Sequence, residues 1–215
     1  MPLFNKRDQY GWMTVLLHWL LFLIIVGLVA SGKYSDSLSS SNKNNSLIFI
    51  HTQIGIAVFV LMAFRFLWRL INTTPEPLSE VYFARLLAFL MHWIMYIVVL
   101  GQVVVGVCMM QLGGREVAFF GIQLPLIVSQ VSDTLAPFLG MLGDDLSPVK
   151  QMRKLHELGG WAIIGLVGAH IVVAFFHHFV LVDDTLRRMS FGYLPSYIRH
   201  DVKVNKMLQK RKNRL

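Results

Sequence analysis

The chain has 215 residues, of which 55% are hydrophobic and 15% charged. Soluble domains carry about 25% charged residues, so this balance excludes an ordinary soluble protein and favours a membrane class. The formal net charge of +8 is uneven, with nine Lys/Arg against three Asp in residues 183–215, and the single cysteine, Cys108, excludes a disulfide framework and a cysteine-based metal centre.

Four stretches reach the roughly 20 apolar residues that cross a hydrocarbon core of about 30 Å: residues 12–31, 47–70, 83–110 and 155–182. The first is longer than a signal h-region and lacks an evident small-residue cleavage site, so it reads as a retained span. A Ser/Asn-rich loop, 31–46, follows it, and a short loop, 71–82, with Pro75 and Pro77 follows the second span. Between the third and fourth spans, the apolar piece 117–131 is broken by Gly121 and Pro125, and is expected to cap the interface and not to span. Cys108, inside an apolar run, reads as a small buried hydrophobe.

The basic segment after the fourth span puts the C-terminus in the cytoplasm. Four spans then return the N-terminus to the same side, consistent with Lys6 and Arg7, while Arg65, Arg69 and Arg85 flank the 71–82 loop. A basic tail that follows a span reports topology and contact with anionic lipid; nucleic acid is not an expected partner. The expected division is a membrane domain, 1–192, and a basic cytoplasmic tail, 193–215.

Four histidines interrupt the apolar stretches: His18, His51, His156 and His170. An imidazole in hydrocarbon is costly, and by default marks a functional site. His156 and His170 are fourteen residues apart, nearly four helical turns, so both point the same way about 21 Å apart along the axis. His18 begins a helix that enters from the cytoplasm, and faces His170 in the inner half of the bilayer. His51 begins a helix that enters from outside, and faces His156 in the outer half. Neutral imidazole ligates iron, and helical bundles hold cofactors between facing side chains. The pattern points to two bis-histidine haems stacked across the bilayer; zinc or copper is disfavoured because neither level offers a third or fourth ligand. The fold class expected is an all-α membrane protein, a four-transmembrane-helix bundle binding two b haems.

Arg65 follows His51 by fourteen residues and shares its face, at the depth of the inner pair. It either meets an anion such as a haem propionate or snorkels to the headgroups. His177 lies seven residues beyond His170, and His92 begins the third span from the cytoplasmic side. They are either interfacial histidines or hydrogen-bond partners of a quinone headgroup below the inner haem. Arg153 and Lys154 precede His156 and either anchor the helix end or steer a small anion to the outer haem.

The ordered segments H-W-L at His18, H-T-Q-I-G at His51, L-M-A-F-R-F-L-W-R over 61–69, L-H-E around His156, G-A-H ending at His170 and H-H-F at His177 resemble the bacterial cytochrome b561 family. The likeness extends through F-G-I-Q-L-P and D-D-T-L-R-R-M, covering about residues 10–190, and is to superoxide-oxidising members of that family. It implies an inner-membrane protein with haem b ligated by His18 with His170 and by His51 with His156. It also implies electron transfer between the outer face, where superoxide is the expected donor, and ubiquinone in the membrane. The tail beyond Gly192 and the loop 121–148 depart from the pattern, the latter where the electron donor would approach. An electron-transfer subunit of a larger dehydrogenase or hydrogenase shares the same scaffold, and stays open as an alternative. Homo-oligomerisation is not decided by the residues.

Overall fold

The four apolar runs fold as long helices. The computed structural model describes residues 2–38, 45–78, 81–126 and 147–192. The helices are α1 (Trp12–Ser37), α2 (Asn45–Ile71), α3 (Tyr82–Leu112) and α4 (Pro148–Phe179). A hairpin, β1 (Ala118–Phe119) and β2 (Ile122–Gln123), lies between α3 and α4, and one further turn of helix, α5 (Thr185–Arg188), follows α4. All four long helices are long and apolar enough to cross a membrane. Helices satisfy every backbone polar group internally where no water is at hand. Their exposed surface carries large apolar side chains such as Leu23, Phe49, Ile97 and Val172, as lipid contact requires.

Two helix ends differ from expectation. α1 continues past residue 31 through the polar stretch to Ser37, and α4 begins at Pro148 instead of 155. Proline at the first helical position forfeits no hydrogen bond, so Pro148 starts a helix well where apolar periodicity has not yet begun. Hydropathy finds the part of a helix in hydrocarbon; the polar turns beyond it are invisible to that measure.

α1 packs along α2, α2 against α3, and α3 against α4. The central core draws on all four: Leu21, Val58, Met62, Tyr96, Val99 and Ile163. Ile163 is seven residues from both His156 and His170, so this apolar layer lies midway between the two histidine levels. Buried Cys108 packs with Val105 and Met152 between α3 and α4.

The apolar piece after α3 folds back over the bundle as a cap as far as it is described. Val117 is buried with Ile56 and Val107. Gln53 Nε2 donates to the Ala118 carbonyl (2.6 Å), and Gln111 Nε2 to that of Pro125 (2.8 Å). Both turn residues, Phe120 (φ 48°) and Gly121 (φ 84°), adopt the left-handed backbone of the tight hairpin turn. Residues 127–131 of the piece, and the rest of the loop to 146, lie outside the described residues, as does the tail 193–215.

The opposite end, here the tail end, is tied by its own network. Asn5 Oδ1 accepts from Gly11 N and Thr14 Oγ1 (both 2.8 Å), and Asn5 Nδ2 donates to the Thr73 carbonyl (3.0 Å). Trp19 Nε1 donates to the Met189 carbonyl (2.7 Å), which holds the segment after α4 against α1. The end bearing β1 and β2 is called the hairpin end.

Candidate functional site

α4 carries one member of each of two histidine pairs. His170 faces His18 of α1 with ring centroids 6.1 Å apart, and His156 faces His51 of α2 at 6.3 Å. The ring planes are steeply inclined, 66° and 76°. Fourteen residues separate the two α4 members, about 21 Å of helix. Among the described residues no group of three or more His, Cys, Asp or Glu could hold a metal ion.

At the hairpin end, Ser31 Oγ lies 2.9 Å from the Leu28 carbonyl and 2.9 Å from His51 Nδ1. A carbonyl only accepts, so the hydroxyl proton goes to Leu28, and the oxygen accepts from His51 Nδ1–H. This assigns the proton of the His51 ring to Nδ1 and leaves Nε2 with a free lone pair. Opposite, the His156 ring lies against the α3 backbone at Gly106, where an added Cβ would stand 3.0 Å from Cε1. Gln102 Nε2 donates to the His156 carbonyl (2.6 Å), and its Oε1 occupies the place a Cβ on Gly159 would need. His156 Nδ1 is buried without a partner among the described residues. A cavity of about 440 Å³ is lined by both histidines, Gly32, Gly55, Gly106 and Gly160. Lys33, Arg115 and Arg153 line it too, with Asp36 and Glu157. The Lys33 ammonium sits 3.9 Å over the Trp161 ring. Lys154 is exposed on α4 and is not among the lining residues.

The tail-end pair has different neighbours. Arg65 NH2 lies 3.3 Å from His18 Nδ1, and Arg65 Nε donates to Tyr96 Oη at 3.3 Å, while Arg65 NH1 is buried without a partner among the described residues. His92 stacks edge-on against His170, centroids 5.7 Å apart, and donates from Nδ1 to the Ala88 carbonyl (2.6 Å). A cavity of about 400 Å³ is lined by Arg65, Arg69, Arg85, Tyr10, His92 and Tyr96, among others, and by no carboxylate among the described residues. Burial pushes the Tyr10 phenol up, against the pull of the Arg69, Arg188 and Arg65 charges.

His177 has another environment. Its Nδ1 is 2.6 Å from Asp183 Oδ2, just past the end of α4, and it lines neither cavity. Burial alone would raise the Asp183 carboxyl, but hydrogen bonds from His177 and Thr185 outweigh it and hold the group below the usual carboxylate range. The structure thus brings His92 to the tail-end cavity and ties His177 to the segment after α4.

Sequence reasoning missed Ser31, placed there at the junction of the first span and its loop, and Gln102. Gln102 had a signal, a polar side chain within an apolar span. Ser31 had none, since its role depends on α1 continuing past it.

The sequence matches the family model described as Prokaryotic cytochrome b561 over residues 9–192. It is 28% identical to "Cytochrome b561 homolog 2" of Escherichia coli (strain K12), over 86% of this chain and 93% of that protein. It is 26% identical to "Probable superoxide oxidase CybB" of Yersinia pestis, over 85% of this chain and 96% of that one. "Cytochrome b561 homolog 1" of Escherichia coli (strain K12) is 27% identical, over 85% and 97%. With four spanning helices and a family match over most of its length, the chain belongs to the prokaryotic cytochrome b561 family of multi-pass, b-haem electron-transfer proteins.

Proposed function

We propose that the protein is a superoxide:ubiquinone oxidoreductase of the inner membrane with two bis-histidine b haems, one at each histidine pair. The observation that carries this reading is the spacing of the rings. Metal–imidazole bonds of about 2.0–2.1 Å would put the centroids of two imidazoles that share one metal about 6.3–6.5 Å apart; the pairs stand close to that, at 6.1 and 6.3 Å. The His51 proton on Nδ1 suits ligation through Nε2. The fit at the tail end asks one adjustment. Arg65 can only donate, so its contact puts a bare nitrogen at His18 Nδ1, whereas ligation through Nε2 returns the proton there. Arg65, already short of a partner at NH1 among the described residues, would then be free to hold a haem propionate by a charge-assisted bond.

When bound, the two haems supply one-electron relay, so that two superoxide ions become dioxygen while one ubiquinone takes two electrons and two protons to form ubiquinol. His18 with His170 and His51 with His156 hold them at the two depths. Arg153, with Lys33 and Arg115 against Asp36 and Glu157, makes the hairpin-end rim net positive among the described residues, a field that attracts a small anion. Lys154 adds to the same field from outside the cavity. His92, in the cationic tail-end cavity, is placed to hydrogen-bond a quinone headgroup; His177, paired with Asp183, is the second proton-bearing candidate. Arg65, Arg69, Arg85, Arg187 and Arg188 gather toward the tail end, which argues for that end, and both termini, in the cytoplasm.

The purified protein is expected to show reducible b-type absorption bands, and superoxide should reduce them faster than it dismutates, with electrons passing to added ubiquinone. A spectrum without such bands rejects the haem reading. Bands that superoxide does not reduce reject the donor and leave a cytochrome serving another partner.

A further inference from the structure

We infer that Ser31 is a positioning residue for His51, and that its hydrogen bond holds the hairpin-end haem at a lower reduction potential than the tail-end one. The inference rests on the haem reading above.

Ser31 on α1 and His51 on α2 are twenty residues apart in sequence and meet across the α1–α2 interface. The hydroxyl has one proton, and the Leu28 carbonyl takes it. Its oxygen is therefore an acceptor fixed by the helix backbone, not a rotor free to donate to the ring. Gly32 seats the other side of the contact: a Cβ there would lie 3.5 Å from His51 Cε1. Tying Nδ1 to α1 turns Nε2 away from it, and His156 lies across the pair.

The bond also has an electronic consequence. Accepting the Nδ1 proton makes an imidazole a stronger donor through Nε2, which favours ferric over ferrous iron. At the tail end the group beside His18 Nδ1 among the described residues is the Arg65 guanidinium, which has no lone pair to offer and would turn away once Nδ1 carries the proton, so no acceptor comparable to Ser31 stands there. Among the described residues three arginines and no Asp or Glu line the adjoining cavity, whereas those of the hairpin-end cavity mix three cations with Asp36 and Glu157. Excess positive charge favours the reduced iron. Ligand donation and field thus act in the same sense, and an electron entering at the hairpin end moves downhill to the tail end.

The test compares Ser31→Thr with Ser31→Val in the full-length protein by redox titration of the α band, with electron paramagnetic resonance of the ferric state. Threonine and valine have nearly the same shape and differ in the hydroxyl. The hairpin-end step is the one that disappears in His51→Ala, and in the wild type it is expected to be the lower of the two. Ser31→Val should move that step upward by as much as tenfold in the reduction equilibrium, about 59 mV for one electron, and shift its ferric signal. Ser31→Thr should overlay the wild type. If Ser31→Val fails to load the hairpin-end haem, Ser31→Ala takes its place in the same comparison. An unchanged hairpin-end step, equal shifts in Thr and Val, or a wild-type hairpin-end step above the other overturns the inference. These outcomes leave the haem reading standing, whereas a wild-type protein without b-type bands overturns that reading itself.

Discussion

The two histidine pairs share α4 and the same residue type, yet their surroundings are opposed. At the hairpin end, backbone and neutral groups hold the rings: Ser31 accepts from His51, Gly106 abuts His156, and Gln102 clamps the His156 carbonyl. At the tail end, Arg65 points at His18 and His92 stacks on His170. The first environment fixes geometry and proton position; the second supplies charge.

The comparison breaks most visibly if either pair is removed. His156→Ala and His170→Ala are each expected to lower haem content from two to one per chain, by haemochrome assay. Loss of both haems in either variant would mean that the pairs do not load independently. Gly106→Ala should come next. Its methyl presses on His156 Cε1, at a cost of about 1–3 kcal/mol if the ring cannot give way, and hairpin-end occupancy should fall. Gly101→Ala, where a Cβ meets nothing within 4 Å, is the control expected to load normally.

Arg65→Met tests the charged end. It removes the guanidinium and keeps the stem, and the tail-end step should fall by up to about 59 mV, one factor of ten, while the hairpin-end step stays. A uniform fall of both would show that the field does not distinguish them. Gln102→Leu should be milder, since interhelical hydrogen bonds in membranes average about 0.6 kcal/mol; the readout is a small drop in thermal midpoint with haem content retained.

The smallest effect concerns Asp183. Its carboxyl is depressed in the folded protein, so the stability it lends is present above the unfolded value near 3.9 and is lost as pH falls through the lower folded value. Protection of the Thr185 amide, which donates to Asp183 Oδ1 at 2.8 Å, measured against its intrinsic exchange rate, should fall in that acid window. Asp183→Asn should remove the pH dependence, and an identical profile in the variant would assign it elsewhere.

Most of the bundle was legible because membrane insertion writes itself into long apolar runs, and four imidazoles in such runs stand out by their cost. The fourteen-residue spacing on α4 and the matching step from His51 to Arg65 needed only helix geometry. The residues that tune the site were harder to read. Ser31 sits in a polar stretch that has the composition of a loop but continues α1 to Ser37. Gln102 is conspicuous within its span, but its partner is a backbone carbonyl, which carries no sequence signal. His92 and His177 looked alike as interfacial histidines, and separated only when α3 brought one against His170 and Asp183 folded back onto the other.

By itself, then, the sequence determined the class, the four crossings and the histidine periodicity, because hydropathy and helical repeat are properties of single segments. Only the tertiary structure decided which nitrogen of His51 carries the proton, which histidine meets the cationic cavity, and how the segment after α3 closes the hairpin end. Those depend on contacts between segments far apart in the chain, where a shift of one helical turn exchanges one partner for another.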